Sequence, residues 1–253
     1  MSKLRLLFPL LALLSTGCSR LDGPVAGDYR AVVEVKGGQV PLELRIGSQG
    51  GTPQLWLLQD GDALAATAVQ FHEGVLEAQL PEGAGNLKVS VSRKQLKGEL
   101  QIADPLGKTE TLPFNAELNQ RFRFVAQAST DNADISGYWQ LSAISPDHFS
   151  APVTLQLRQS FDAVDGKLIL DQGSKPLTLY GQANGDDVYL GALSQGRTLL
   201  FKGKVDQHGD LQGQIWINSS KAQPAIATRI KDEQPDNEEV VRKVALPWAV
   251  PTR

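Results

Sequence analysis

The chain has a single cysteine among 253 residues, one methionine, three histidines and only 6% aromatic residues. One thiol cannot close an internal disulfide, form a CxxC pair or build a multi-thiolate metal site. Lys and Arg number 25 against 28 Asp and Glu, a net charge of −3. That balance lacks the basic footprint of a general nucleic-acid binder. No apolar run approaches the roughly 20 residues that a helix needs to span a bilayer. A hydrophobic share of 41% nevertheless excludes a disordered chain. Catalytic signatures are missing too. His72, His148 and His208 lie far apart without HxxxH or HxH spacing, so each reads as a surface turn residue. There is no GxSxG elbow and no P-loop; Gly47–Gly51 and Gly83–Gly85 read as glycine-rich loops. Gly185-Asp186-Asp187 lacks the alternating ligands of a calcium loop and reads as a hairpin tip, and Asp162 with Asp165 as a solvated turn. The expectation is a protein that is not an enzyme and carries no cofactor and no metal.

What is present begins at the N-terminus, MSKLRLLFPLLALLSTGC. Lys3 and Arg5 make a basic start, and Leu6–Leu14 is an apolar run interrupted only by Pro9. Its length is that of a signal-peptide core. Ser15, Thr16 and Gly17 follow, and then Cys18, the chain's only thiol. This arrangement resembles the lipobox of bacterial lipoproteins, with Ser15 standing where that family usually has Leu. The resemblance implies cleavage between Gly17 and Cys18 and attachment of lipid to Cys18. One acyl chain binds a bilayer only marginally, whereas two or three on one residue hold it almost permanently. Ser19, rather than Asp, after the cysteine implies the outer membrane, with the body on its periplasmic face. Loss of Lys3 and Arg5 with the signal takes the net charge from −3 to −5. Without a second cysteine, the fold must stand on its core alone in an oxidising compartment.

Beyond a polar spacer, 18–26, the pattern is that of short strands. Tyr29–Val35, Pro41–Ile46, Leu87–Val91, Val153–Leu157 and Leu211–Ile217 each place apolar side chains at every second position, one face on a core and one in water. Turn signals separate such runs: Lys36-Gly-Gly38, Asp60-Gly61, Asp165-Gly166, Asn184-Gly185 and His208-Gly-Asp210. The spacing predicts an all-β protein of antiparallel meanders, each a small barrel or sandwich.

The meander is written twice. Gly27-Asp-Tyr29 answers Gly137-Tyr-Trp139, and Pro41–Ile46 answers Pro152–Leu157. Leu96–Ile102 answers Leu211–Ile217, and Pro113–Leu118 answers Pro224–Arg229, in the same order. The domain reading is a signal segment at 1–17, the lipidated cysteine and spacer at 18–26, and two tandem β units at 27–119 and 136–231. A polar linker, 120–135, joins the units. An acidic tail, 232–253, has a short helix predicted from Asp236 to Lys243 and Trp248 between two prolines. Trp56, Trp139 and Trp216 read as core plugs.

The second half, from Gly137-Tyr-Trp139 through Asn184-Gly-Asp186 to Leu211-Gln-Gly213 and Ala227-Thr-Arg229, is similar to the β domain that precedes the thioredoxin-like domain of TlpA-type periplasmic proteins. That resemblance implies an accessory β module, since disulfide exchange needs a thiolate that residues 19–253 do not contain. The expected function is a membrane-anchored, non-catalytic binding or scaffolding module for an envelope partner. The alternative is a lipocalin-like carrier of a small apolar ligand, which requires a barrel with room inside.

Overall fold

The computed structural model describes residues 23–104, 107–142, 153–169, 175–218 and 220–230. Within them the regular structure is all β apart from one 3₁₀ turn, Pro81–Gly83. The first sheet comprises β1 (Gly27–Val35), β2 (Gly38–Gln49), β3 (Thr52–Gln59), β4 (Asp62–Ala65), β5 (Thr67–His72), β6 (Val75–Leu80), β7 (Gly85–Ser92), β8 (Gln95–Ala103) and β9 (Thr109–Leu118). The second comprises β10 (Gly137–Ser142), β11 (Val153–Ser160), β12 (Ala163–Ile169), β13 (Leu177–Asn184), β14 (Asp187–Ser194), β15 (Arg197–Val205), β16 (Leu211–Ile217) and β17 (Gln223–Arg229).

The choice between sandwich and barrel is resolved in favour of barrels. The second sheet closes on itself, β10 pairing with both β11 and β17. The first runs β4-β3-β2-β1-β9-β8-β7-β6-β5, and its two ends are consecutive in the chain. The segment 62–72 pairs first with β3 and then with β6, and the Ala66 amide donates to the Leu55 carbonyl at the changeover. Closure is thus made by one kinked strand. Ala68, in the left-handed region at φ +50°, supplies the extra residue of a bulge between Thr67 and Gln70, and a bulge bends the strand that carries it.

The repeat read from sequence maps element onto element: β1 on β10, β2 on β11, β8 on β16 and β9 on β17. Its clearest mark is the pair Tyr29 and Trp139. The Tyr29 hydroxyl donates to the Val25 carbonyl at 2.8 Å, and Trp139 Nε1 donates to the Ile135 carbonyl at 3.0 Å, each four residues upstream. Both rings follow a glycine with positive φ, Gly27 (+147°) and Gly137 (+126°). That conformation lets the chain turn inward at the barrel end and is strained for residues with a Cβ. Above Trp139 the Arg229 guanidinium lies 4.4 Å from the ring centroid and donates to the Ser136 and Asp134 carbonyls.

Barrel interiors are filled by the alternate residues of each strand. In the second barrel Leu141, Leu155, Leu168, Leu179, Leu190 and Phe201 close around a residual void of about 10 Å³. That is barely room for one water. Trp139 is a core plug as expected (0% exposed). Trp56 and Trp216 are not: they lie on outer faces, Trp56 against Gly47 and Trp216 against Gly37. Asp165-Gly166 is also not a turn; both residues pair within β12.

Candidate functional site

The hairpins at one end of the first barrel abut the side of the second. A Cβ at Gly37, between β1 and β2, would stand 2.5 Å from the Trp216 indole, and Lys202 Nζ donates to the Gly37 carbonyl at 2.7 Å. Asp60, between β3 and β4, receives Arg158 and Lys167. Glu82 pairs with Lys175, and its carbonyl accepts from the Gln195 amide at 2.8 Å. At Gly196 (φ +67°) a Cβ would fall 1.7 Å from the Ala103 carbonyl oxygen, so only glycine allows that approach. Leu193 of β14 belongs to the core of the first barrel.

The linker is pinned along this seam rather than free. Arg123 ion-pairs with Asp165 at 2.8 Å and Glu43 at 3.5 Å, and donates to the Val164 carbonyl at 2.7 Å. The amides of Phe124 and Val125 donate to Gln182 Oε1, both at 2.7 Å. Gln182 is 1% exposed and uses its other end on the Val125 carbonyl and Asp162. Phe124 stacks on Tyr189 with centroids 5.5 Å apart. Arg30 holds the Arg123 carbonyl and lies 4.2 Å from the Phe122 ring centroid.

Tyr180 sits in the same cluster, its hydroxyl donating to the Leu58 carbonyl at 2.6 Å across the two units. Desolvation, with the nearby Glu43 carboxylate, pushes this phenol above the usual tyrosine range. The folded chain therefore keeps a proton that the unfolded chain loses near pH 10. Stability contributed by Tyr180 is full below that pH and declines as pH rises past it. Tyr29 and Tyr189 are displaced the same way by burial. Tyr180→Phe is expected to flatten, without abolishing, the loss of urea resistance between pH 9 and 11. Equal slopes in the two proteins would contradict this assignment.

Away from the seam, one surface has the dimensions of a ligand site. A groove of about 430 Å³ lies on the outer face of the first barrel across β5–β9, within the range of small-molecule clefts. Strand register writes its lining as two rungs. Gln70, Glu77, Lys88 and Glu99 are successive cross-strand partners, and so are Gln79, Asn86, Gln101 and Thr111, with Thr67 pairing Gln79 beside the groove. Lys88 pairs with Glu77 at 2.8 Å, and that carboxylate, with Glu99 beyond it, holds the ammonium above the usual lysine range. Sequence alternation marks these positions as a solvent face. The concavity was not legible, because it forms beside the bulge at Ala68.

The residues singled out from sequence do not converge here. Gly17, Cys18, His148 and the tail from 232 lie outside the described residues. His72 is exposed beside Glu73 at 3.5 Å, and the His208 amide donates to Asp206 in a turn. Sequence reading missed Phe161, which is 92% exposed at the β11–β12 tip with φ +58°.

No family model matches the chain, and no curated protein matches it. A solved structure of a protein of unknown function from the DUF3598 family of Nostoc punctiforme aligns over 83% of this chain and 97% of its own. The identity is 16% and the TM-score 0.27, a likeness that carries no argument.

Proposed function

We propose that the protein is a bacterial lipoprotein, anchored through lipid on Cys18 in the outer membrane and facing the periplasm, whose two-barrel body is a non-catalytic binding module. The observation that carries the reading is the contrast between interior and exterior. The second barrel is filled by its own leucines, while the outer face of the first holds a ligand-sized polar groove. The filled interior weighs against the lipocalin-like carrier, since a void of about 10 Å³ accommodates no small apolar ligand.

The geometry suits a tether. The first strand starts at the end of the first barrel opposite the seam, so a spacer leading to Gly27 leaves on the side away from the second barrel. Nine residue steps from Cys18 to Gly27 reach at most about 30 Å. The first barrel then stands next to the bilayer and holds the second further out. Cys18→Ala is expected to abolish incorporation of radioactive palmitate and to leave the uncleaved precursor on a gel. Labelling that persists in the variant would remove the lipobox from the argument.

A further inference from the structure

We propose that the groove across β5–β9 binds a neutral, hydroxyl- and amide-bearing saccharide chain. The inference rests on the binding-module reading above and names the ligand of that surface. Its warrant is the chemistry of the two rungs. Gln79, Asn86 and Gln101 form an unbroken cross-strand row of amides flanked by Thr67 and Thr111. The Thr67 hydroxyl donates to Gln79 Oε1 at 3.2 Å, which leaves the Gln79 amide nitrogen to donate, while Asn86 and Gln101 can both donate and accept. A ligand whose hydroxyl and acetamido groups do both matches this row.

The parallel rung excludes other ligands. Lys88 is bracketed by Glu77 and Glu99 on the neighbouring strands. An anion would meet two carboxylates, and a simple cation would meet an ammonium already seated between them. The remaining lining is Ala68, Ala78 and Leu87, of which Ala78 and Leu87 belong to the core. That leaves no apolar pocket for the side chains of a peptide, and β6–β9 are each paired on both sides, so no peptide can join those strands by addition. At a strand spacing of about 4.8 Å, four steps from β5 to β9 span about 19 Å, an elongated shape suited to several linked sugar rings.

The test uses the purified full chain in detergent, with the N-acetylglucosamine tetrasaccharide as probe and maltotetraose as a second neutral chain. Hydrogen–deuterium exchange is expected to show ligand-dependent protection confined to β6–β8, and calorimetry a saturable affinity. The double variant Asn86→Ala/Gln101→Ala changes only exposed side chains, so its melting temperature should be unchanged while affinity falls at least tenfold. No protection with either saccharide at millimolar concentration, or binding unchanged in the double variant, overturns the assignment. A photo-crosslinker at position 101 in cells separates the two levels of inference. Capture of a specific envelope protein there, without saccharide binding, would sink the saccharide and leave the binding module standing. Absence of both would sink both.

Discussion

Trp139→Ala is expected to destabilise the second barrel by about 3–5 kcal/mol, as for large aromatic truncations in packed cores. For a body of this size that lowers the melting temperature by on the order of 10 °C. The ring is completely buried, and its N–H satisfies the Ile135 carbonyl. It is also the platform on which the Arg229 guanidinium lies while binding two carbonyls of the entering chain. Truncation therefore opens a cavity and also loosens the lid over it. Trp139→Phe keeps much of the apolar volume but loses the donor and part of the ring, which should cost about 1–3 kcal/mol. Thermal melts followed by far-UV circular dichroism would rank the three proteins. An alanine variant melting within a few degrees of the parent would mean that the barrel end is not closed by this plug. Tyr29 fills the corresponding place in the first barrel but lacks the arginine, because Leu118 stands where Arg229 does in the repeat. Tyr29→Ala should therefore leave less of the entering chain unsupported than Trp139→Ala.

That correspondence shows how far the sequence could be read. Period-two alternation in Pro41–Ile46 and Leu87–Val91 found strands because one face of each meets water and the other a core. The repeat was legible because the same glycine, aromatic and turn positions recur in order. Closure of the first barrel was not, since it depends on one strand changing partners at Ala66 and bulging at Ala68. The seam was not legible for a related reason. Leu199, Leu200 and Phe201 are all buried, as are Gly191, Ala192, Leu193 and Ser194. Both faces of β14 and β15 are covered where the hairpins of the first barrel rest on them, and alternation fails there. The linker looked solvated from its small polar residues. Its ordering residues are Arg123 and Phe124 at the start of the segment and Gln182 in another strand. Only the fold brings those together. The groove shows the opposite case: alternation in Leu87–Val91 put Lys88 on the solvent face, where it lines the groove, yet a shape made by curvature leaves no pattern along the chain.

Arg123 decides whether the two barrels melt as one body. Its side chain is 17% exposed and meets Glu43 from the first barrel and Asp165, with the Val164 carbonyl, from the second. Fully buried pairs lose 3–5 kcal/mol when one partner is removed. Here the carboxylates are 48% and 38% exposed, so water screens them, and Arg123→Met is expected to cost about 2 kcal/mol. The larger effect is on cooperativity. The other bridges, at Gly37, Leu58, Asp60, Glu82 and Ala103, run directly between the barrels, whereas Arg123 ties the linker to both units at once. Scanning calorimetry is expected to show one endotherm for the parent and two resolved endotherms for the methionine variant. Arg123→Lys separates charge from geometry: a single ammonium cannot reproduce the planar fork that serves two carboxylates and a carbonyl, so it should split the transition as well. If lysine restores a single transition, charge alone couples the barrels. If methionine leaves it single, the hairpin contacts suffice, and the buried polar seam serves to fix the angle between the units rather than their joint stability.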